Sequence, residues 1–307
     1  MGNDTHHNKR YIALLAGVFA VIIVFFLIAI KTYAYMQSGA ASILASLVDS
    51  ISDSAISIMS LSAIYYSLKP DDEDHRFGHG KIEGLAALFQ AAFLCGAAVF
   101  VVFESLTRFT APVAINHHMF SIGVMIISLV LTLFLVLIQR HILKHVPSLA
   151  IEADNAHYST DIAVNIGVII VLIALYFGLP PWVDPIGAIM IAIYMVMAAR
   201  DIGMKGADML LDKELAGTAR EDITRIVLTH NGVIDMHDLR TRRAGMRVFI
   251  AFDIEVDQTL SLVDAHEISR DVETELIKSF PNADIFIHID PQGDIEDARH
   301  RVEGIHK

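Results

Sequence analysis

Apolar positions in this chain form long unbroken runs over roughly its first two hundred residues, and short helical or alternating patterns after that. Residues 11–30, 85–103 and 119–138 hold no charged side chain, and each run approaches the roughly 20 residues that cross a bilayer core. Residues 40–68, 149–177 and 182–199 are also long and apolar; the first two contain ionisable groups and the third is short. The pattern predicts six membrane-spanning helices. The first run exceeds the apolar core of about 7 to 15 residues in a signal peptide, and no cleavage site follows it closely, so it reads as a retained helix.

After about Asp208 charge rises and the runs disappear, which marks a second, soluble domain. Thr218 to Glu221, "TARE", reads as a capping box opening a helix, and "HNG" at His230 to Gly232 closes it with a glycine. Residues 247–256 alternate as a strand, with Val248, Phe252 and Val256 on one face, and Gly245 turns the chain back onto a preceding strand near 237–242. A second helix, capped at "SLVD", covers 261–280, and 284–289 alternate as a third strand. The fold class is thus an α-helical membrane protein of six transmembrane helices with a small α+β domain in the order α-β-β-α-β, a ferredoxin-like two-layer arrangement. The expected divisions are 1–10 as a cytoplasmic N-terminal segment, 11–208 as the membrane domain, 209–291 as the cytoplasmic domain and 292–307 as a polar tail.

Composition agrees with a membrane protein: 54% of the 307 residues are hydrophobic, and the mean hydropathy is +0.52. A formal charge of -12 opposes a nucleic-acid partner, whose phosphates demand a basic face, and together with 15 histidines it favours cations. Cys95 is the single cysteine, so any metal is held by His and carboxylate. Lys9, Arg10, Lys69, Arg76, Lys81, Arg140 and Lys144 fall in the loops of one side, and "YMQSGA", "TAPVAINHH" and "GLPPW" on the other hold no Lys or Arg. Both termini are therefore expected in the cytoplasm. Lys31 and Arg108, near outer helix ends, are expected to snorkel to the interface.

Two membrane segments carry acids. An Asp at mid-bilayer costs about 2.5 to 3.5 kcal/mol, yet Asp49 and Asp53 share one face of the second span, four residues apart. His157 and Asp161 repeat that spacing on the fifth. At about 1.5 Å per residue, Asp53 lies about 20 Å from the outer end of its helix and Asp161 about 18 Å from the inner end of an antiparallel one, so the two pairs meet at one depth. Three carboxylates and an imidazole make a tetrahedral set for zinc or a similar divalent ion. Clustered carboxylates cannot all stay ionised once the cation leaves, so protons should replace it. His157 and Asp53 are the groups expected to exchange them. A closed structural metal that staples two helices, or aspartates bonded to nearby serines, are the alternatives.

D-x3-D in the second span, H-x3-D in the fifth, "DHRFGHGKIE" after the second span and "HDLRTR" in the soluble domain together resemble the cation diffusion facilitator family, in its bacterial zinc and iron efflux branch. The resemblance runs from the first span to Pro291. It implies a homodimer in the bacterial inner membrane that exports divalent cations against protons, with Zn2+ as transported and regulatory ion and Cd2+, Fe2+, Co2+ or Ni2+ as further substrates. It implies a transport site of Asp49, Asp53, His157 and Asp161, and a second metal site of Asp72, His75 and His79, for which a solvated acidic loop explains the same residues. It also implies a binuclear cytoplasmic site from His237, His266, His288 and Asp290. Asp253 stands there where the family pattern has another histidine, a harder ligand that puts affinity and metal choice in doubt. A histidine-rich surface without metal is the other account of that region. Lys81 and Asp212 are implied to pair between the two domains. A membrane-bound metal sensor or scaffold is the competing function. An intramembrane zinc hydrolase is disfavoured: "HEISR" is the nearest approach to H-E-x-x-H, and Arg270 occupies the second ligand position.

Overall fold

The computed structural model describes residues 2–293 except 39–40, 111–117, 145, 147, 177–179 and 181–182, and within several helices it describes backbone without side chains. Six long helices come first: α1 Gly2–Ser38, α2 Ala41–Ser67, α3 Ile82–Thr110, α4 His118–Leu143, α5 Leu149–Tyr176 and α6 Val183–Leu210. Then follow α7 Gly217–Leu228, β1 Asp235–Ala244, β2 Arg247–Val256, α8 Leu262–Ser279 and β3 Ala283–Pro291. The chain divides into two compact units, with the boundary between Ala207 and Asp208.

In the helical unit, Ile12–Tyr33, Ile82–Thr107 and Ile126–Leu143 are long and apolar enough to cross a membrane by composition alone. These match the three charge-free runs. Ala20, Val24 and Leu27 of α1 pack against Leu135 and Val136 of α4 and Tyr158 of α5. Leu94 and Ala98 of α3 pack against Ala192, Met195 and Ala199 of α6. Small residues let the α3 and α6 backbones approach closely: a Cβ on Gly206 would lie 2.8 Å from the Gly84 carbonyl oxygen. Side-chain bonds tie Asp53 to His157, Ser57 to Asp154, and Ser60 to the Ala150 carbonyl. Residue number rises along α2 as it falls along α5, so the two helices are antiparallel.

Two expectations fail locally. Lys31 does not snorkel; it is buried, and its Nζ donates to Ser50 Oγ at 2.6 Å, because α2 offers an acceptor where lipid offers none. Arg108 lies outside the described side chains. Thr218 does not cap α7. The helix begins at Gly217 after Ala216, with no side-chain cap bond, and the Ala216 carbonyl accepts from Ala219 and Arg220, which places Thr218 inside the first turn.

The second unit has the expected α-β-β-α-β order, with sheet order β1-β2-β3, β1 antiparallel and β3 parallel to β2. Gly245, at φ 61°, forms the turn between Ala244 and Arg247, a conformation that costs glycine little. Ser261 caps α8 by accepting from the Asp264 N–H. Ile250, Phe252, Ile254 and Val256 of β2 form the core with Ile223, Val227, Val272 and Leu276 of the two helices. Side chains alternate, so Asp253 and Glu255 emerge on the opposite, open face of the sheet.

Candidate metal centres

On α2 and α5 the spacing of four residues brings three chemically suited groups together. His157 Nε2 is 3.1 Å from Asp53 Oδ1 and 3.7 Å from Asp161 Oδ2, and the three ligand atoms lie within 4.8 Å of one another. Two carboxylate oxygens thus converge on one imidazole nitrogen, whose lone pair holds either a proton or a cation. Asp49 lies outside the described side chains.

Next to this triad sits a carboxylate that the spacing argument missed. Asp154 is almost fully buried; its Oδ2 accepts from Gln139 Nε2 of α4 at 2.6 Å and its Oδ1 from Ser57 Oγ of α2 at 3.4 Å. Ser57 Oγ also lies 2.5 Å from the Tyr158 hydroxyl, and the Tyr158 ring meets the His157 ring edge-on, 5.6 Å between centroids. Asp154 precedes His157 by three residues. Its one available signal was an acid in the first turns of the helix, beside Glu152 and without the four-residue spacing. The network joins α2, α4 and α5 one turn from the triad.

Between α2 and α3, Asp72 Oδ1 accepts from the backbone N–H of His75 at 2.7 Å and of Asp74 at 3.1 Å, and the His75 N–H, with the His75 side chain, holds its carboxyl below the usual aspartate range. The same side chain reaches both imidazoles, His75 Nδ1 at 3.2 Å and His79 Nε2 at 3.2 Å. Gly78, at φ 78°, makes the turn that brings the two rings within 4.6 Å, tilted by 40°. His79 Nδ1 is buried and has no hydrogen-bond partner among the described residues.

On the open face of the sheet, register decides which groups meet. His237, Asp253 and His288 are lateral partners across β1, β2 and β3, while Asp290 pairs with Glu255 one step along. Asp290 lies between the histidines, Oδ2 3.4 Å from His237 Nε2 and Oδ1 3.2 Å from His288 Nε2. Asp253 Oδ2 is 3.8 Å from His237. His237, Asp253 and Asp290 converge within 4.8 Å, and neither His288 nor His266 joins that group. His266 is exposed on α8, in the layer on the other side of the sheet. Burial raises the Asp253 carboxyl above its ordinary value, against the pull of His288 and His237. Lys81 and Asp212 belong to different units; within its own unit Asp212 Oδ2 is 3.2 Å from Arg242 Nη1.

The cation efflux transmembrane domain model matches residues 17–211, and the cation efflux protein cytoplasmic domain model matches residues 215–292. The chain belongs to the cation efflux, or cation diffusion facilitator, family. This cation efflux protein is 41% identical over 265 residues to the cation-efflux pump FieF of Shewanella oneidensis, covering 86% of this chain and 89% of that one. Its identity to the FieF of Salmonella arizonae is 38% over 288 residues, covering 92% and 95%. Among solved structures it is similar to the metal-bound C-terminal domain of the CzcD transporter from Thermotoga maritima, at 34% identity over 27% of this chain and 100% of that one, with a TM-score of 0.25. The cation efflux protein is a multi-pass membrane protein with a cytoplasmic α/β domain, and its relatives are pumps by name.

Proposed function

We infer that the protein exports divalent cations, Zn2+ foremost, from the cytoplasm in exchange for protons, by alternating access across the bacterial inner membrane with both termini inside. The observation that carries this reading is the approach of Asp53 and Asp161 to the same nitrogen of His157 within the helical unit. Those atoms bind a cation only when the imidazole is neutral at Nε2, so metal entry and proton departure are one event seen from two sides. Asp49, one helical turn from Asp53, completes the set. Imidazole among carboxylates favours Zn2+ or Cd2+ over Mn2+, and Fe2+, Co2+ and Ni2+ accept the same donors.

The other two clusters are regulatory or accessory sites in this reading. Asp72, His75 and His79 hold a cation at the loop, and the approach of the Asp72 carboxylate to one ring nitrogen of each histidine supports ligation there. His237, Asp253, His288 and Asp290 hold the cytoplasmic metal, with Asp290 offering one oxygen to each histidine's neighbourhood. The protein works as a homodimer, supported by the dimer designation of the matched cytoplasmic family model and by the open sheet face, where Phe286 is 69% exposed.

Flux in proteoliposomes tests the reading. Zinc uptake driven by a pH gradient is expected to fall at least about a hundredfold in both Asp53→Ala and His157→Ala, each removing a ligand of a site with no spare donor. Zinc binding without any gradient-driven flux in the unmodified protein would instead make it a sensor. Unchanged flux in both variants would remove the site assignment.

A further inference from the structure

On the side of the transport triad nearer the start of α5, another buried carboxylate ties three helices together. Glu83, in the first turn of α3, is 1% exposed. Its Oε2 accepts from Ser148 Oγ at 2.9 Å, from the Leu149 N–H at 2.8 Å and from the Ala150 N–H at 3.4 Å, and its Oε1 accepts from Ser67 Oγ of α2 at 2.9 Å. The first-turn N–H groups of a helix have no partner within it and carry its positive end, so a carboxylate there is a strong electrostatic clasp. The seam it closes is tight. Ser57, Ser60, Ala150 and Ala153, between the clasp and His157, are all buried, and Ser60 donates to the Ala150 carbonyl at 3.2 Å while receiving from Gln90 Nε2 at 2.6 Å. Exposure rises in the other direction, from 9% at the His157 side chain to 25% at Asp161 one turn on.

We propose that Glu83 is the latch of the cytoplasmic gate: its grip on the N-terminus of α5 and on Ser67 of α2 holds the α2–α3–α5 seam shut beneath the transport site, and its release opens the site to the cytoplasm. The latch rests on the export reading given above. It acts through helix position and touches no cargo, so Glu83 is a positioning residue. Metal affinity of the triad is independent of it, and the distribution between inward-open and outward-open states is not.

The experiment uses the full chain with Cys95→Ser and a single reporter, Ser60→Cys, in the closed seam. In membrane vesicles of known sidedness, a membrane-impermeant maleimide is added from either side. Glu83→Gln, which keeps size and loses charge, is expected to raise the labelling rate from the cytoplasmic side about tenfold and to lower it from the outside, with Glu83→Asp returning most of the original rate. Zinc affinity measured in detergent is expected to stay within about twofold. Unchanged labelling in Glu83→Gln overturns the proposal, and so does labelling that rises equally from both sides with loss of zinc binding, which marks a structural role alone. An Asp271→Cys control in the soluble domain reports which face is cytoplasmic. If it reacts from the outside, the orientation fails, and the latch is then judged by whether Ser60→Cys opens to the same side as Asp271→Cys.

Discussion

Within the helical unit Asp53 and Asp161 converge on His157, and Asp154 lies buried one turn away, bonded to Gln139 and Ser57. Removing Asp154 would leave Gln139 Nε2 buried without its 2.6 Å acceptor and free Ser57 from one of its two partners. Loss of an acceptor for a buried donor costs about 1 to 3 kcal/mol, more where the acceptor is charged. Asp154→Ala is therefore expected to lower the thermal midpoint in detergent by several degrees and to weaken zinc binding at the triad, with Asp154→Asn milder in both, as followed by scanning calorimetry and metal titration. A sequence shows spacing along one helix, so the H-x3-D and D-x3-D pairs were legible. The partners of Asp154 come from α2 and α4, ninety-seven and fifteen positions away, and no local pattern announces them. Lys31 failed for the same reason: its acceptor is on another helix.

Among the elements, those whose signal is local were readable. β2 alternates because one face meets the helices and the other does not, and α8 starts at Ser261 because its hydroxyl accepts a first-turn N–H. The α7 cap differs because the backbone places it at Ala216, two residues before Thr218, so the Thr218 hydroxyl lies inside the first turn. Packing between α3 and α6 was invisible, since it depends on two glycines more than a hundred residues apart. It is testable: a Cβ at position 206 would sit 2.8 Å from a backbone oxygen and 3.2 Å from the Leu88 backbone nitrogen. Backbone cannot yield as a flexible side chain does. Gly206→Val is expected to destabilise the helical unit by about 1 to 3 kcal/mol, seen as a lower midpoint for its transition while α7, α8 and the sheet keep theirs.

For the whole molecule, two units with separate cores imply two unfolding transitions, and the second carries a pH dependence through Asp253. Burial raises that carboxyl above its unfolded value. Its protonated form contributes stability that is complete below about pH 4, the unfolded value, and is lost as pH rises through the folded one. At neutral pH the metal-free domain therefore holds an ionised group beside Asp290 and Asp238 that lowers its stability. Asp253→Asn is expected to raise the metal-free midpoint by a few degrees at pH 7, with the difference vanishing toward pH 3, and to reduce the gain on adding zinc. Circular dichroism melts of the full chain with chelator and with zinc check both signs.

The contact between Gly84 and Gly206 also decides which side of the inner gate can travel. Glu83 is the residue before Gly84, so the carboxylate stands on a stretch of α3 whose backbone is wedged under α6. Glu83 is the doorpost. The door is the start of α5, and the swing that admits cargo from the cytoplasm belongs to Ser148, Leu149 and the first turns of the helix, which precede His157.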